Sequence, residues 1–339
     1  MHKQFTFKNF RGFRDLTVNL KPLTVINGKN NTGKTSLLEG LFLFHDFADT
    51  AVFLKLLVIR GQRDFALSDK TIFDPLFHGM DNNNDILLQS SENKAVILKK
   101  NPTNATFFSS KGTHNSNYDL SCLCKENDLQ LDGIYKIKNE QIILESDNDR
   151  SSVILRPIQY IGPNTAIDNV TVANWLGKVE LMSKKHILID SLKILDEDIV
   201  DIVSVVINSS PYLYITTCYD EKMPLYLMGD GMRKIVHVML AIILNNIVLL
   251  DEIENGLHYK LHPKIWKLIA ELSAQENCQV IATTHNDECI EGALEGAVAA
   301  GRSDDFMYMR LDKIRGEVRP KYFTSSMLQL TVDKRFEVR

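Results

Sequence analysis

The chain has 339 residues, 44% of them hydrophobic and 24% charged, which is enough apolar material for a full core and excludes a disordered chain. A formal net charge of −4 excludes a uniformly basic surface built to grip nucleic acid, though not a local basic patch. Five scattered cysteines read as reduced thiols, the opening residues lack an apolar signal core, and no uncharged apolar run reaches the ~18 residues of a membrane span, so a soluble cytoplasmic protein with no membrane contact is expected.

Residues 5–13 alternate apolar and polar, the pattern of a half-buried strand. Leu23 to Ile26 form a short apolar run cut by Asn27-Gly28, which reads as a buried strand entering a tight loop. Leu37, Leu38, Leu41, Phe42 and Phe44 then fall at helical spacing between Ser36 and Phe47. From about residue 70 to 160 the composition changes. Polar islands at 81–85, 101–104 and 111–119 separate strand-like segments at 94–98, 133–137 and 141–145, so an insertion of antiparallel strands is expected. Residues 165–208 predict a helical lobe, because Ile187, Leu188, Leu192, Ile194, Leu195, Ile199, Ile202 and Val203 recur at intervals of three and four. From Tyr212 onward strand, loop and helix signals alternate, as in a return to a parallel sheet. The expected fold is therefore α/β. It is one domain over 1–339, with a mixed central sheet, a β-rich lobe inserted at 70–160 and a helical lobe at 165–210.

Four segments carry chemistry. Gly28-Lys-Asn-Asn-Thr-Gly-Lys-Thr35 fits G-x-x-x-x-G-K-[ST] in full and lies between a strand signal and a helix signal. In such a loop the backbone N–H groups of Gly28, Asn30, Asn31, Thr32, Gly33 and Ser36 can wrap phosphates. Lys34 reaches the β and γ phosphates, and the Thr35 hydroxyl holds Mg²⁺. The second segment, Ile247-Val-Leu-Leu-Asp-Glu252, is a buried strand ending in two acids. There Asp251 is a second anchor for Mg²⁺ and Glu252 the candidate to polarise water. The third, Gln279-Val-Ile-Ala-Thr-Thr-His285, places a histidine at the end of another apolar strand. The fourth, Leu227-Met-Gly-Asp-Gly-Met-Arg-Lys234, opens a helical run with two glycines, a second anion-binding pattern at Gly229, Asp230, Gly231 and Arg233. His258 and His262 lie four apart but lack an acidic third ligand in pattern, so a structural role is expected for both.

Taken together the four segments resemble those of the ABC-type P-loop ATPases, in the soluble branch that includes RecF, the SMC proteins and the overcoming-lysogenization-defect (OLD) nucleases. Phe7-Lys-Asn-Phe-Arg-Gly-Phe13 looks like that branch's opening strand. Asp251-Glu-Ile-Glu-Asn-Gly-Leu-His258 looks like its Walker B and D-loop, and Gly229-Asp-Gly-Met-Arg-Lys234 like a variant signature motif. The resemblance covers roughly residues 1–50 and 212–290. It implies an ATPase using ATP and Mg²⁺, with two heads meeting head to tail as a homodimer or within a larger assembly. Each ATP would lie between Gly28–Ser36 of one head and Gly229–Arg233 of the other, with Glu252 activating water and His285 sensing the γ-phosphate. The family's signature serine would fall near Met228 or Gly229, which leaves Arg233 or Lys234 to supply the missing contact. Gln159 is open to two readings, as a Q-loop residue or as an ordinary strand residue.

No long heptad run can build SMC arms, and about 50 residues after His285 are too few for an OLD-type nuclease domain. The leading expectation is thus a sensor or motor ATPase working with a separate nuclease or toxin effector, a setting that the resemblance associates with bacterial anti-phage defence. The alternative is a RecF-like DNA-maintenance ATPase, for which Lys55, Arg60, Arg63, Arg310, Lys313, Arg315, Arg319 and Lys321 are the candidate nucleic-acid contacts.

Overall fold

The structure, a computed structural model, describes residues 1–62, 72–100, 119–127, 129–138, 141–146, 156–165 and 167–333. At its centre lies a six-stranded sheet, in the order Glu317–Phe323, Phe306–Ile314, Leu23–Gly28, Gln279–Thr283, Ile247–Leu250, Ile158–Ile161. Every neighbouring pair is parallel except the antiparallel edge strand Glu317–Phe323. The strands starting at Leu23, Ile247 and Gln279 are buried along their whole length, which is why they read as continuous apolar runs. Alternate side chains feed two cores. Val25, Val248 and Val280 point into one, and Ile26, Leu249 and Ile281 into the other.

The first core is closed by the helices Asn169–Leu181, Lys185–Lys193, Asp230–Leu244, His262–Gln275 and Asp287–Ala299. The second holds the helix Lys34–Asp46, buried from nearly every side because a second sheet covers it. That sheet is antiparallel and seven-stranded, in the order Phe13–Asn19, Gln4–Phe10, Ile86–Ser90, Lys94–Lys100, Leu120–Glu126, Leu129–Lys138, Gln141–Ser146. Its Phe5, Phe7, Phe10 and Phe13 are buried, each contributing about 1.5–3 kcal/mol of apolar transfer.

Three expectations change. Residues 5–13 are not one strand but a hairpin, turned at Arg11 with φ 51°, and Phe13 begins the second strand. The antiparallel strands beyond residue 80 occur as expected, with two more at Ile86–Ser90 and Leu120–Glu126, and they extend this same hairpin sheet. The 81–85 island is a turn in which Asp81 accepts from the Asn83 N–H at 3.1 Å, while the 101–104 island and residues 111–118 lie outside the described residues.

The helical reading also fails after Lys193. Ile199–Ile207 is a strand, paired antiparallel with Ser210–Thr217, which in turn pairs with Lys222–Pro224. A register shift between Ile199 and Asp201 places two buried residues, Ile199 and Ile202, three apart, and that spacing imitates a helix. The β-branched residues Val203, Val205, Val206 and Ile207 are the better signal. The parallel sheet consequently resumes at Ile247 rather than near Tyr212.

Candidate active site

The carboxyl ends of the parallel strands gather the chemistry, as open α/β sheets require. Gly28 closes one strand and Asp251 follows the next but one, with Thr283 ending the strand between them. At Gly28, with φ 153°, an added Cβ would lie 2.5 Å from the Leu311 carbonyl oxygen, so only glycine fits this close approach. Gly33, at φ 95°, leads into the helix Lys34–Asp46, whose N-terminus faces the loop. The Lys34 ammonium folds back over the loop, donating to the carbonyls of Gly28 at 2.7 Å and Lys29 at 3.2 Å. Burial pulls its pKa down to about 8, against the opposing pull of Asp251, Glu252 and Glu254.

Asp251 is the hub. Its Oδ2 accepts from Thr35 Oγ1 at 3.0 Å and from the Tyr160 hydroxyl at 2.7 Å, while Oδ1 accepts from Thr283 Oγ1. One hydroxyl and one carboxylate converging beside a phosphate loop fit Mg²⁺, which favours few protein ligands and completes its shell with phosphate oxygens and water. Tyr160 and Thr283 were not legible as site residues, because strand pairing from distant segments delivers them.

Glu252 follows in the left-handed region, φ 49°. Its N–H donates to Thr283 Oγ1 at 3.0 Å, its Oε2 accepts from Asn255 Nδ2 at 2.7 Å, and its Oε1 lies 3.9 Å from His285 Nε2. The His285 N–H donates to Glu254 Oε1 at 2.7 Å. The two acids, the histidine and the phosphate-loop threonine thus form one constellation.

The Gly229–Lys234 segment packs against the turn that follows Glu252. Gly229 has φ 85° and ψ 159°, and the helix Asp230–Leu244 begins immediately after it. Arg233 donates to Asp230 at 2.7 Å, and both side chains are exposed. They border a cleft of about 430 Å³ with Gly162, Tyr212, Tyr226, His237 and Gly256 around it, and no residue of the phosphate loop lines it. Lys234 does not reach outward. Its ammonium is bound to three carbonyls of its own chain, which removes it as a stand-in for the missing serine.

Gln159 lies in the strand Ile158–Ile161, where its amide donates to the Tyr160 carbonyl at 2.9 Å. His262 is buried where its helix crosses Gly292, and no group of three metal-ligating side chains occurs among the described residues. All five cysteines are free thiols. No helix of the described residues is long and apolar enough to cross a membrane.

Most of the basic candidates have acidic neighbours. Lys55 pairs with Asp46 and Asp49, Arg60 with Glu39, Arg310 and Lys321 with Asp312, and Arg319 with Glu317. Arg63 lies outside the described residues. Arg60 also donates to Ser36 Oγ at 2.9 Å, so it braces the helix behind the phosphate loop.

Residues 1–160 match a family model described as "AAA ATPase domain", and residues 177–291 match one described as "AAA domain, putative AbiEii toxin, Type IV TA system". A Helicobacter pylori (strain ATCC 700392 / 26695) protein named ATP/GTP phosphatase is 23% identical over 334 residues, covering 86% of this chain and 87% of its own. Among solved structures, an Smc head domain from Pyrococcus furiosus, with an extended coiled coil and bound to the C-terminal domain of ScpA, aligns with a TM-score of 0.53 at 10% identity. It covers 98% of this chain and 99% of its own. An SmcHead bound to the C-winged helix domain of ScpA gives 0.51 at 12% identity, over 95% and 97%. At such identities the likeness is one of fold. The chain is an ATPase with AAA-type matches over residues 1–160 and 177–291, and its fold is like that of the Smc head domains.

Proposed function

We propose that two copies of this chain close head to tail around two ATP molecules, each nucleotide held by Gly28–Ser36 of one copy and by Gly229–Arg233 of the other. The observation that carries this reading is the separation of the two anion-binding segments. Asp230 and Arg233 border a cleft that holds no phosphate-loop residue, and their charged groups point outward. A segment so placed is suited to serve the nucleotide of a second copy.

Within one site the division of labour follows from the contacts. The N–H groups of Asn30, Asn31, Thr32 and Gly33 and the Lys34 ammonium bind and orient the phosphates. Mg²⁺, held by Thr35 and Asp251, would neutralise phosphate charge when bound. Glu252, oriented by Asn255, accepts the proton of the attacking water, and His285 stands beside it to meet the γ-phosphate.

The clamp would act as the sensor or motor subunit of a cytoplasmic two-gene system in bacterial anti-phage defence, with a nuclease or toxin as its separate effector. The toxin–antitoxin wording of the second family model supports that setting, and the Smc heads bound to ScpA domains are examples of this fold docking a partner protein. The DNA-maintenance reading is less favoured, because most of its basic candidates already have acidic partners.

ATP hydrolysis and oligomeric state measured together, for wild type and Glu252→Gln, test the reading. The variant is expected to lose about 10²–10⁴-fold in hydrolysis and to accumulate as an ATP-dependent dimer. A wild type that stays monomeric with ATP and Mg²⁺ sinks the clamp. Duplex binding that weakens steeply with salt would instead favour the DNA reading.

A further inference from the structure

We propose that Lys234 is a positioning residue that couples the segment gripping one nucleotide to the loop that hydrolyses the other. Arg233 and Lys234 look interchangeable in sequence, but the structure separates them. Arg233 turns outward to Asp230, while Lys234 turns inward and donates to the carbonyl oxygens of Glu252 at 2.9 Å, Ile253 at 2.9 Å and Asn255 at 3.1 Å. An ammonium has three protons, and here each has its own acceptor. These three carbonyls belong to the turn that sets the Glu252 carboxylate.

That turn depends on outside support. Glu252 holds a left-handed backbone at φ 49°, a conformation a non-glycine residue keeps only when its surroundings over-determine it. Lys234 binds its carbonyl, Thr283 its N–H and Asn255 its carboxylate. The two loops also touch directly. A Cβ on Gly231 would lie 2.8 Å from the Gly256 carbonyl oxygen, so the segment Gly229–Arg233 cannot shift without pressing on or leaving the turn. A displacement of the helix start when Gly229–Arg233 meets a nucleotide therefore moves Lys234, and with it the support of Glu252. The inter-site part of this argument rests on the head-to-tail clamp.

The test compares wild type, Lys234→Met and Lys234→Arg. ATP hydrolysis across ATP concentrations gives kcat, KM and the Hill coefficient, fluorescent ATP-analogue binding gives affinity, and thermal melting reports folding. Lys234→Met is expected to bind the analogue as wild type does, to lose at least about tenfold in kcat and to fall to a Hill coefficient of one. Wild-type kcat and Hill coefficient in this variant overturn the proposal, and so does a loss of analogue binding in parallel with kcat. If Lys234→Met does not fold, Lys234→Arg decides, because a guanidinium spreads its donors in a plane, at most two on any nitrogen, and cannot gather three carbonyls around a single nitrogen. A folded Lys234→Arg with wild-type kcat and cooperativity overturns the proposal, and one that binds analogue but has lost cooperativity supports it. Failure of the clamp itself is visible separately, as a wild type that stays monomeric with ATP.

Discussion

The phenol of Tyr160 donates at 2.7 Å to Oδ2 of Asp251, the same oxygen that accepts from Thr35 at 3.0 Å. Parallel pairing sets Tyr160 opposite Leu249, two residues before the acid, so register alone brings the phenol to the carboxylate. Burial first, and then the Asp251 charge, push the phenol pKa far up, so it stays a donor. Tyr160→Phe keeps the edge contact with Phe42 and removes only that donor. The expected cost is about 1.5–3 kcal/mol, as for a hydrogen bond to a charged group, together with a changed Mg²⁺ dependence of nucleotide binding. Denaturant unfolding and a Mg²⁺ titration of fluorescent-nucleotide binding check both parts. If neither moves, Thr35 and Thr283 are enough to hold Asp251.

Gly33 shows how the hairpin sheet constrains the phosphate loop. A Cβ at this position would lie 2.6 Å from the Phe13 ring, and φ is 95°. Gly33→Ala is therefore expected to destabilise by about 1–3 kcal/mol from backbone strain alone and to abolish nucleotide binding. Adding Phe13→Leu relieves the clash but not the strain, so the double variant should recover part of the stability and little of the binding. Full recovery of both would show that backbone conformation is unimportant there.

The phosphate loop and the Asp251-Glu252 pair were legible because their chemistry depends on spacing along the chain. Tyr160 and Thr283 were not, nor was the inward role of Lys234, which the sequence offered only as a nucleotide contact. Each is an ordinary residue in sequence and gains meaning only from strand register or from a helix packing on a loop. The strand Ile199–Ile207 was misread for a local reason, since a register shift gave its buried residues a helical interval. Arg60 shows the reverse case. A cation beside other basic residues suggested a nucleic-acid surface, whereas its partner Glu39, 21 residues earlier, lies buried within the helix behind the loop.

That carboxylate gives a further test. Glu39 is fully buried and accepts from Arg60 at 2.6 Å and from Arg11 at 3.3 Å, while Arg60 also holds Ser36. Removing one member of a buried ion pair strands the others, so Glu39→Ala is expected to lose about 3–5 kcal/mol. Arg60→Met leaves Arg11 in place, and the smaller loss expected should come with weaker nucleotide binding through Ser36. Urea unfolding of the two variants, with fluorescent-nucleotide titration, measures this. An Arg60→Met variant as destabilised as Glu39→Ala would contradict the arrangement.

His2 and His45 predict an acid-sensitive fold. Their Nε2 atoms lie 2.8 Å apart inside the core, and one of them must donate to the other, an arrangement that requires at least one ring to be neutral. Burial lowers the pKa of His2 to about 4, Glu92 opposing it and Arg156, the N-terminus and Lys94 adding to it. Burial, His2 and Lys94 hold His45 well below its ordinary 6.5. Both folded-state values are depressed, so as pH falls below 6.5 the unfolded chain takes up protons that the folded chain refuses. The stability contribution is fully present above pH 6.5 and is lost as pH falls toward 4. Each such proton contributes a slope approaching about 1.4 kcal/mol per pH unit. Urea unfolding between pH 5 and 6.5, above most carboxylate titrations, isolates the effect. His45→Leu is expected to be less stable at neutral pH and to show a distinctly shallower slope. A variant whose stability falls as steeply as that of wild type would place the acid sensitivity elsewhere in the chain.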